Sequence, residues 1–228
     1  FFGDVVVISS ETSMSGKSCA ITVDSPLRVV PVEKIHDVPT YKSNGTPVDS
    51  VKLSFNNLFD RKPDFVVSGI NHGANTSISV IYSGTMGAAI EGSLHGVPSI
   101  GFSLDDFSVS ADFSKAKIIV AKIFQSVQEN GLPPFTCLNV NIPAVDEKLI
   151  KGIKICRQAY AKYEEKFDQR KDPHGKKYYW LTGEFKNLES GKDTDSWALK
   201  HNYVSVVPVQ FDLTHYGLKK TLETKWKL

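Results

Sequence analysis

Residues 64–75 read DFVVSGINHGAN, and residues 82–92 read YSGTMGAAIEG. The first stretch begins with a short apolar run and continues into glycines and amides, which is typical of a buried strand that ends in a loop. The second stretch opens with a turn of small residues and becomes rich in alanine, which predicts the start of a helix. N–H groups at a helix start bind phosphate readily, and side-chain oxygens suit a hard divalent cation. The two stretches therefore indicate phosphate and metal chemistry where a strand leads into a helix.

The segments on either side of this connection predict an α/β fold. Short apolar runs predict strands at residues 4–8, 65–67, 98–103 and 137–143. Helical spacing predicts helices at residues 85–95 and within residues 111–130, each followed by glycine and proline stop signals. Because strands and helices alternate, we expect a three-layer α/β sandwich, with residues 4–8 as a buried parallel strand.

The pattern changes after about residue 150. Strands are predicted at residues 152–156, 176–181 and 203–209, and a charged stretch at 162–175 ends in the turn signal DPHG. We therefore divide the chain into a core, residues 1–150, and a β-rich part, residues 151–228, with a long hairpin that reaches toward another subunit. Only weak helical character is expected for residues 214–228.

Composition narrows the class of protein. The hydrophobic content of 41% and charged content of 23% over 228 residues are ordinary for a globular protein. A net charge of +2 is too small to indicate nucleic-acid or acidic-membrane binding. No apolar run approaches the roughly 20 residues that span a bilayer, and we expect no signal peptide. The three cysteines lack CxxC spacing, so we expect reduced thiols in a cytoplasmic protein.

The loop SGKS at residues 15–18 imitates the end of a nucleotide-binding P-loop. The full pattern requires glycine five residues before Gly16, where Glu11 stands instead, so an ATP-binding P-loop is not expected. The loop follows a predicted strand, and open α/β sheets bind ligands at the carboxyl ends of their strands. An ordinary turn remains the alternative.

Individual side chains of the central stretches also have structural alternatives. Asn71 and Asn75 could offer amide oxygens to a metal or bond the local backbone. We expect His72 to face solvent or a neighbouring residue, and Glu91 to be solvated. What favours a site is the density of polar side chains and glycines on one connection.

Two further polar segments are expected to be structural. Residues 44–50, NGTPVDS, predict a turn and a helix start, with Thr46 as N-cap and Pro47 as the first helical residue. This turn could line the same crevice. Asp105 and Asp106 follow the predicted strand 98–103; a solvated turn is favoured over a site-facing carboxylate pair.

The motif SGINxGxN at residues 68–75, followed by YSGTxxAAxEG at residues 82–92, resembles the signature of the SurE survival-protein family. The segments NGTPxD at 44–49 and YVSVxP at 203–208 match the family in the same order, as does the loop at Ser15 and Gly16. The resemblance covers essentially the whole chain. It implies a Rossmann-like fold with a β-hairpin extension and a metal-dependent phosphatase of nucleoside 5′- and 3′-monophosphates. It also implies a homo-oligomer, a dimer or tetramer, whose subunits exchange C-terminal segments.

The resemblance also implies roles for particular residues. Ser15 and Asn71 would be metal ligands, and Asn71 and Ser83 would be catalytic. The phosphate pocket would consist of Asn75, Ser83, Gly84 and Thr85. The divalent cation, Mg²⁺, Mn²⁺ or Ca²⁺, would also bind two aspartates of an Asn-Asp-Asp-Gly strand end, which residues 1–228 do not contain. We expect the strand that carries this pair to precede Phe1 in the molecule.

Three functions of different classes follow, and one of them is an assembly scaffold, indicated by the hairpin and the aromatic residues 178–180, which an oligomeric enzyme would share. The other two concern phosphate. The first is a metal-dependent phosphomonoesterase that converts nucleoside monophosphates to nucleoside and phosphate. The alternative is a catalytically silent protein that binds nucleotide or phosphate. Metal-dependent release of phosphate distinguishes the two.

Overall fold

The computed structural model describes residues 2–226. The strands are β1 (Val7–Ser10), β2 (Val29–Ile35), β3 (Val38–Ser43), β4 (Val66–His72), β5 (Ser99–Leu104), β6 (Thr136–Ile142), β7 (Ile153–Ile155), β8 (Ala161–Lys171), β9 (Lys177–Asn187) and β10 (Val204–Gln210). The α-helices are α1 (Pro47–Leu53), α2 (Gly84–Leu94), α3 (Lys117–Asn130), α4 (Asp195–Lys200) and α5 (Tyr216–Lys225). A 3₁₀ helix, Ser77–Tyr82, leads directly into α2.

Five strands form the main sheet, in the order β4-β5-β6-β10-β7. Neighbouring strands are parallel except for β6 and β10, which are antiparallel. A smaller sheet has the order β1-β3-β2, and β8 pairs with β9 as a separate hairpin. The predicted α/β class is confirmed, and the β4–α2–β5 connection is the strand–helix–strand unit predicted from residues 64–103.

The central strands β5, β6 and β10 are covered on both faces, which is why they are apolar. The edge strand β4 has no fully buried residue, and Val67 is 50% exposed, so the expectation of a buried strand is wrong for β4. Alternate residues of β5, β6 and β10 pack with α3 in one cluster, which includes Phe102, Val140 and Ile123. The opposite face lies under α2 so closely that a Cβ at Gly101 would come 2.5 Å from the sulfur of Met86. The helix that follows β4 is therefore seated directly on the sheet.

The prediction for the first strand is partly wrong. β1 begins only at Val7, and the side chains of Val5 and Val6 are 57% and 40% exposed rather than buried. β-branched residues favour extended backbone, but burial requires neighbouring elements. In residues 2–226, β1 pairs with β3 alone, over residues 7–10.

The second half of the chain contains the expected hairpin. β8 and β9 pair in register from Ala161 opposite Asn187 to Lys171 opposite Lys177. The turn lies at the predicted DPHG, where the N–H of Gly175 donates to the carbonyl of Asp172 over 2.9 Å. The main sheet crosses the division that we predict at residue 150, because β7 and β10 belong to it, and that division stays a prediction.

The tail has more regular structure than expected, because residues 216–225 form α5. Residues 1, 227 and 228, the first and the last two of the chain, lie outside the described part. Within residues 2–226, no helix combines the length and apolar character that a membrane crossing requires.

Candidate active site

The start of α2 presents free backbone donors. Ser83 is its N-cap, and its buried hydroxyl oxygen accepts from the N–H of Met86 over 3.1 Å. The first N–H groups of a helix have no acceptor inside the helix. Within residues 2–226, no protein acceptor contacts those of Gly84 and Thr85. These two donors and the positive end of the helix dipole suit an anion.

The carboxyl end of β4 presents a free amide oxygen, Oδ1 of Asn71. The Nδ2 of Asn71 donates to the carbonyls of His72 and Gly73 over 3.0 and 2.9 Å. Both bonds use the nitrogen, and no donor in the described part of the chain contacts Oδ1 of Asn71. An oxygen held in this way is an available ligand for a hard cation.

Asn71 and the start of α2 lie at the same edge of the sheet. Asn71 pairs in register with Ser103 of β5, and the carbonyl of Thr85 lies 3.6 Å from the Cβ position of Gly101. Ser103 is two residues beyond Gly101, and β4 is the adjacent strand. Strands rise about 3.3 Å per residue and lie about 4.8 Å apart, so the backbone of Asn71 is roughly 8 Å from Gly101, the residue of β5 that lies under the start of α2. The structure thus brings these two predicted site elements together.

Asn75 is held by a buried amide network. Its N–H donates to Oδ1 of Asn141 over 2.6 Å, and its carbonyl accepts from Nδ2 of Asn139 over 2.8 Å. Its side-chain Nδ2 donates to the hydroxyl of Ser103 over 2.8 Å, which leaves one amide hydrogen unused. Nδ2 of Asn141 in turn donates to Oδ1 of Asn139 over 3.2 Å. The backbone of Asn75 is therefore fixed on β6, and its remaining N–H can serve a ligand.

The sequence-based reasoning missed these supporting residues. Ser103, Asn139 and Asn141 are completely buried. The signal was present in CLNVNI, residues 137–142, where asparagine occupies alternate positions of an apolar strand. Alternate residues share one face of a strand. Both amides therefore face the same side of the sheet, where Asn75 lies.

The loop of Ser15 lies against the start of α2. The N–H of Ser18 donates to the carbonyl of Tyr82 over 3.2 Å, and its hydroxyl donates to that of Ile81 over 2.5 Å. The carbonyl of Met14 lies 3.4 Å from the Cβ position of Gly84. Residues 15–19 form turns that no helix follows, which agrees with the rejection of a P-loop. Ser15 itself is exposed beside the helix start.

The turn at residues 44–50 is the predicted helix cap. The hydroxyl oxygen of Thr46 accepts from the N–H of Asp49 over 3.1 Å, and Oδ2 of Asp49 accepts from the N–H of Thr46 over 2.8 Å. Burial raises the pKa of Asp49, but hydrogen bonds from Thr22 and Thr46 outweigh it and lower the pKa below its ordinary value. Pro47 packs 3.2 Å from the Cβ position of Gly84, so this cap also lines the edge.

One expectation about the surroundings is wrong. Glu91 is buried rather than solvated, with Oε1 2.7 Å from Nζ of Lys52 and 3.1 Å from Nε2 of His95. Glu91 faces α1, and the spacing of residues along α2 alone could not show that another helix packs there.

The remaining two expectations concern His72 and the pair Asp105 and Asp106. His72 is exposed, and its Nδ1 lies 3.0 Å from the carbonyl of Ser108, as expected for a surface histidine. Asp105 is exposed, and Asp106 meets the loop through its backbone carbonyl, which accepts from the N–H of Gly73.

The fold and the site together define a doubly wound α/β protein whose sheet offers, at its carboxyl edge, backbone donors suited to an anionic ligand. Residues 2–165 match the family model described as survival protein SurE, and this chain belongs to that family. It is 54% identical over 227 residues to the 5′-nucleotidase SurE of Flavobacterium johnsoniae, covering 99% of this chain and 87% of that protein. It is 51% identical over 226 residues to the 5′-nucleotidase SurE of Cytophaga hutchinsonii, again covering 99% and 87%.

The solved structures include a similar fold. The crystal structure of the SurE protein from Aquifex aeolicus aligns with a TM-score of 0.80 at 37% identity, covering 97% of this chain and 88% of that one. The family suggested by the central motif is thus confirmed.

Proposed function

We propose that this protein is a 5′-nucleotidase, a phosphomonoesterase that hydrolyses nucleoside 5′-monophosphates, and also 3′-monophosphates, to nucleoside and phosphate. The observation that carries the proposal is the pairing of a free amide oxygen, Oδ1 of Asn71, with free helix-start N–H groups at one sheet edge. The names of the Flavobacterium and Cytophaga relatives support the same activity.

The chain's own residues would bind and orient the phosphoryl group. The N–H groups of Gly84 and Thr85, with the hydroxyl of Thr85, donate to its oxygens, and the spare Nδ2 hydrogen of Asn75 adds a donor. Ser83 shapes this turn as N-cap and keeps its own O–H free to donate. Because the donors are fixed before the substrate arrives, they stabilise the charge that develops as the phosphorus–oxygen bond breaks.

A divalent cation is part of the proposal. Ser15 and Asn71 would hold it, and their neutral oxygens fit Mg²⁺, Mn²⁺ or Ca²⁺ better than zinc. Two neutral donors are an incomplete set, and residues 2–226 contain no group of three or more His, Cys, Asp or Glu arranged for a metal. The aspartate pair implied by the family resemblance would complete the set. When bound, the cation would act as a Lewis acid on a phosphoryl oxygen.

We also propose that the protein is a homo-oligomer, a dimer or tetramer. One face of the β8–β9 hairpin carries a stripe of aromatic and apolar side chains that are 39–66% exposed; they are Tyr163, Phe167, Tyr179, Leu181 and Phe185. The other face is mostly charged, with Lys162 and Glu164 among its residues. An apolar stripe of this kind on one face is typical of a subunit interface, and a second copy is its proposed partner.

The activity is tested by phosphate release from AMP with Mg²⁺ or Mn²⁺, with and without chelator. We expect turnover that chelation abolishes and added metal restores. Asn71→Ala should lose most of the turnover, whereas the matched surface variant Asn57→Ala should keep it, since Asn57 is exposed on another segment. Binding of AMP with no metal-dependent turnover would establish the alternative, a catalytically silent nucleotide-binding protein, and no observation here favours it.

The assembly is tested by light scattering on the intact protein. We expect a mass of two or four times that of a single chain. Phe167→Ser on the apolar face should lower it, and Lys166→Ser, the neighbouring residue on the charged face, should not. A wild-type mass of one chain contradicts the proposal.

A further inference from the structure

Ser77, between Asn75 and the start of α2, is bonded to the root of the β8–β9 hairpin, residues 157–160 and 188–189, and to the start of α4. It is completely buried, and its φ of +53° is unusual for a residue with a side chain. Its hydroxyl donates to the carbonyl of Ala159 over 2.7 Å, and its carbonyl accepts from Nε2 of Gln158 over 2.9 Å. Its N–H donates to Oδ2 of Asp195 over 2.8 Å. Every polar group of Ser77 is therefore bonded outside its own loop.

Asp195 is the centre of this joint. It lies at the start of α4, is completely buried, and uses both carboxylate oxygens. While Oδ2 accepts from Ser77, Oδ1 accepts from the N–H groups of Ala159 and Ser196 over 3.0 and 2.7 Å. Asp195 thus ties together the 3₁₀ helix before α2, the segment before β8 and the start of α4. A carboxylate that bridges three separate segments fixes their relative positions.

The hairpin root is itself clamped beside this joint. Arg157 makes a forked pair with Glu189, its Nη1 and Nη2 lying 2.9 and 2.6 Å from the two oxygens. Its Nε also donates to Oδ2 of Asp193 over 2.8 Å. The N–H of Tyr160 donates to Oε1 of Glu189 over 2.6 Å, so the two ends of the hairpin are joined. The position of the root is therefore well defined when it meets Ser77.

We propose that Asp195 and Ser77 are positioning residues of the phosphate site, through which the hairpin root holds Asn75 and the Ser83–Thr85 turn in place. The inference rests on the proposed function. The amides of β6 fix Asn75, and the bonds of Ser77 to Asp195 and Ala159 fix the chain two residues further on. A strained backbone such as that of Ser77 persists only where the surroundings over-determine it, and such residues cluster at functional sites. Because the hairpin also carries the proposed subunit interface, the joint would link assembly to catalysis.

The test compares three variants of the full chain. In Asp195→Asn the amide NH₂ must face either the N–H of Ser77 or the N–H groups of Ala159 and Ser196. Two donors then meet, so hydrogen bonds are lost in both orientations of the side chain. Ser77→Gly removes the hydroxyl bond but also removes the strain at φ +53°, so it should keep the fold and provides the test if Asp195→Asn does not fold. Ser79→Ala is the matched control, because Ser79 lies on the same 3₁₀ helix and its hydroxyl only reaches that of Tyr163, at 3.4 Å.

Two readouts are measured on each variant. Hydrogen exchange should become faster over residues 75–85 in Asp195→Asn and Ser77→Gly, with peptides of β5 and β6 unchanged. The kcat/KM for AMP should fall at least about tenfold in both, since small displacements of binding groups reduce turnover steeply, while Ser79→Ala stays within about twofold of wild type.

Wild-type exchange over residues 75–85 in a folded Ser77→Gly variant overturns the proposal. So does faster exchange with unchanged kcat/KM. Should the wild-type protein release no phosphate from AMP, the proposed function fails, and the exchange measurement alone decides for or against the joint.

Discussion

The buried amides of β6 give a quantitative test of how Asn75 is held. Asn141→Ala leaves two buried groups unpaired, the N–H of Asn75 and Oδ1 of Asn139. Asn139→Ala also leaves two, the carbonyl of Asn75 and Nδ2 of Asn141. Each buried unpaired group costs about 1–3 kcal/mol. Each single variant should therefore lose at least about 2 kcal/mol of unfolding free energy, or roughly 4–8 °C in Tm for a chain of this length.

The double variant distinguishes a network from two independent contacts. With both amides gone, only the N–H and the carbonyl of Asn75 remain unpaired, two groups rather than the four obtained by adding the single variants. The double variant should therefore cost about as much as one single variant plus lost packing. The coupling free energy should be at least about 1 kcal/mol, within the range found for residues that share hydrogen bonds.

Urea unfolding of the wild type, both single variants and the double variant gives this coupling directly. Asn141→Ala combined with Ser126→Ala is the control, because Ser126 is exposed on α3 and bonds only its own helix. That pair should be additive to within about 0.5 kcal/mol. If the Asn139 and Asn141 variants are equally additive, the amides act separately and the network argument is refuted.

Three further predictions concern the site and the hairpin root. Asn71→Ala should weaken metal binding, measured by calorimetry, because it removes the free Oδ1, and it should also lower Tm by a few degrees, because the two bonds that Nδ2 donates to loop carbonyls are lost; unchanged metal affinity removes Asn71 from the site. Ser83→Ala should cost about 1 kcal/mol through loss of the N-cap and also raise the KM for AMP; a loss of stability alone would leave Ser83 as a cap and nothing more. Side-chain hydrogen bonds from Arg157 lower the pKa of Glu189 from its ordinary 4.5 to about 2, so its contribution to stability is complete above pH 4.5 and declines as pH falls toward 2. Glu189→Gln should accordingly lower Tm at pH 7, and its difference from wild type should shrink below pH 4.5, whereas a pH-independent difference contradicts this reasoning.

Local sequence predicted what depends on local interactions. The runs that became β5 and β6 and the alanine-rich helix α2 were placed to within one residue at each end, whereas β4 continues to His72, five residues beyond the strand predicted at 65–67. The cap at Thr46 and the hairpin turn at residues 172–175 were also predicted. Each of these features is decided by side chains within a few residues of one another, through backbone preference, capping or hydrophobic periodicity.

Features that depend on distant partners were not predicted. The burial of Glu91 requires Lys52 on another helix, and the exposure of Val5 reflects which strands pair beside it. The contact between Ser77 and Asp195 joins residues that are 118 positions apart. No local pattern carries such information, because hydrogen bonds of this kind exist only after the segments have packed.

The sequence by itself determined the α/β class and the family, and it predicts a phosphate site at the β4–α2 connection, because a glycine-rich turn and a helix start have their properties wherever they occur. The tertiary structure alone decided that Oδ1 of Asn71 is free, that Asn75 rests on two buried amides, and that Ser77 is bonded to the hairpin root. The physical reason is that a polar group's free energy depends on its final partners. Those partners come from strands and loops that only the folded chain brings together.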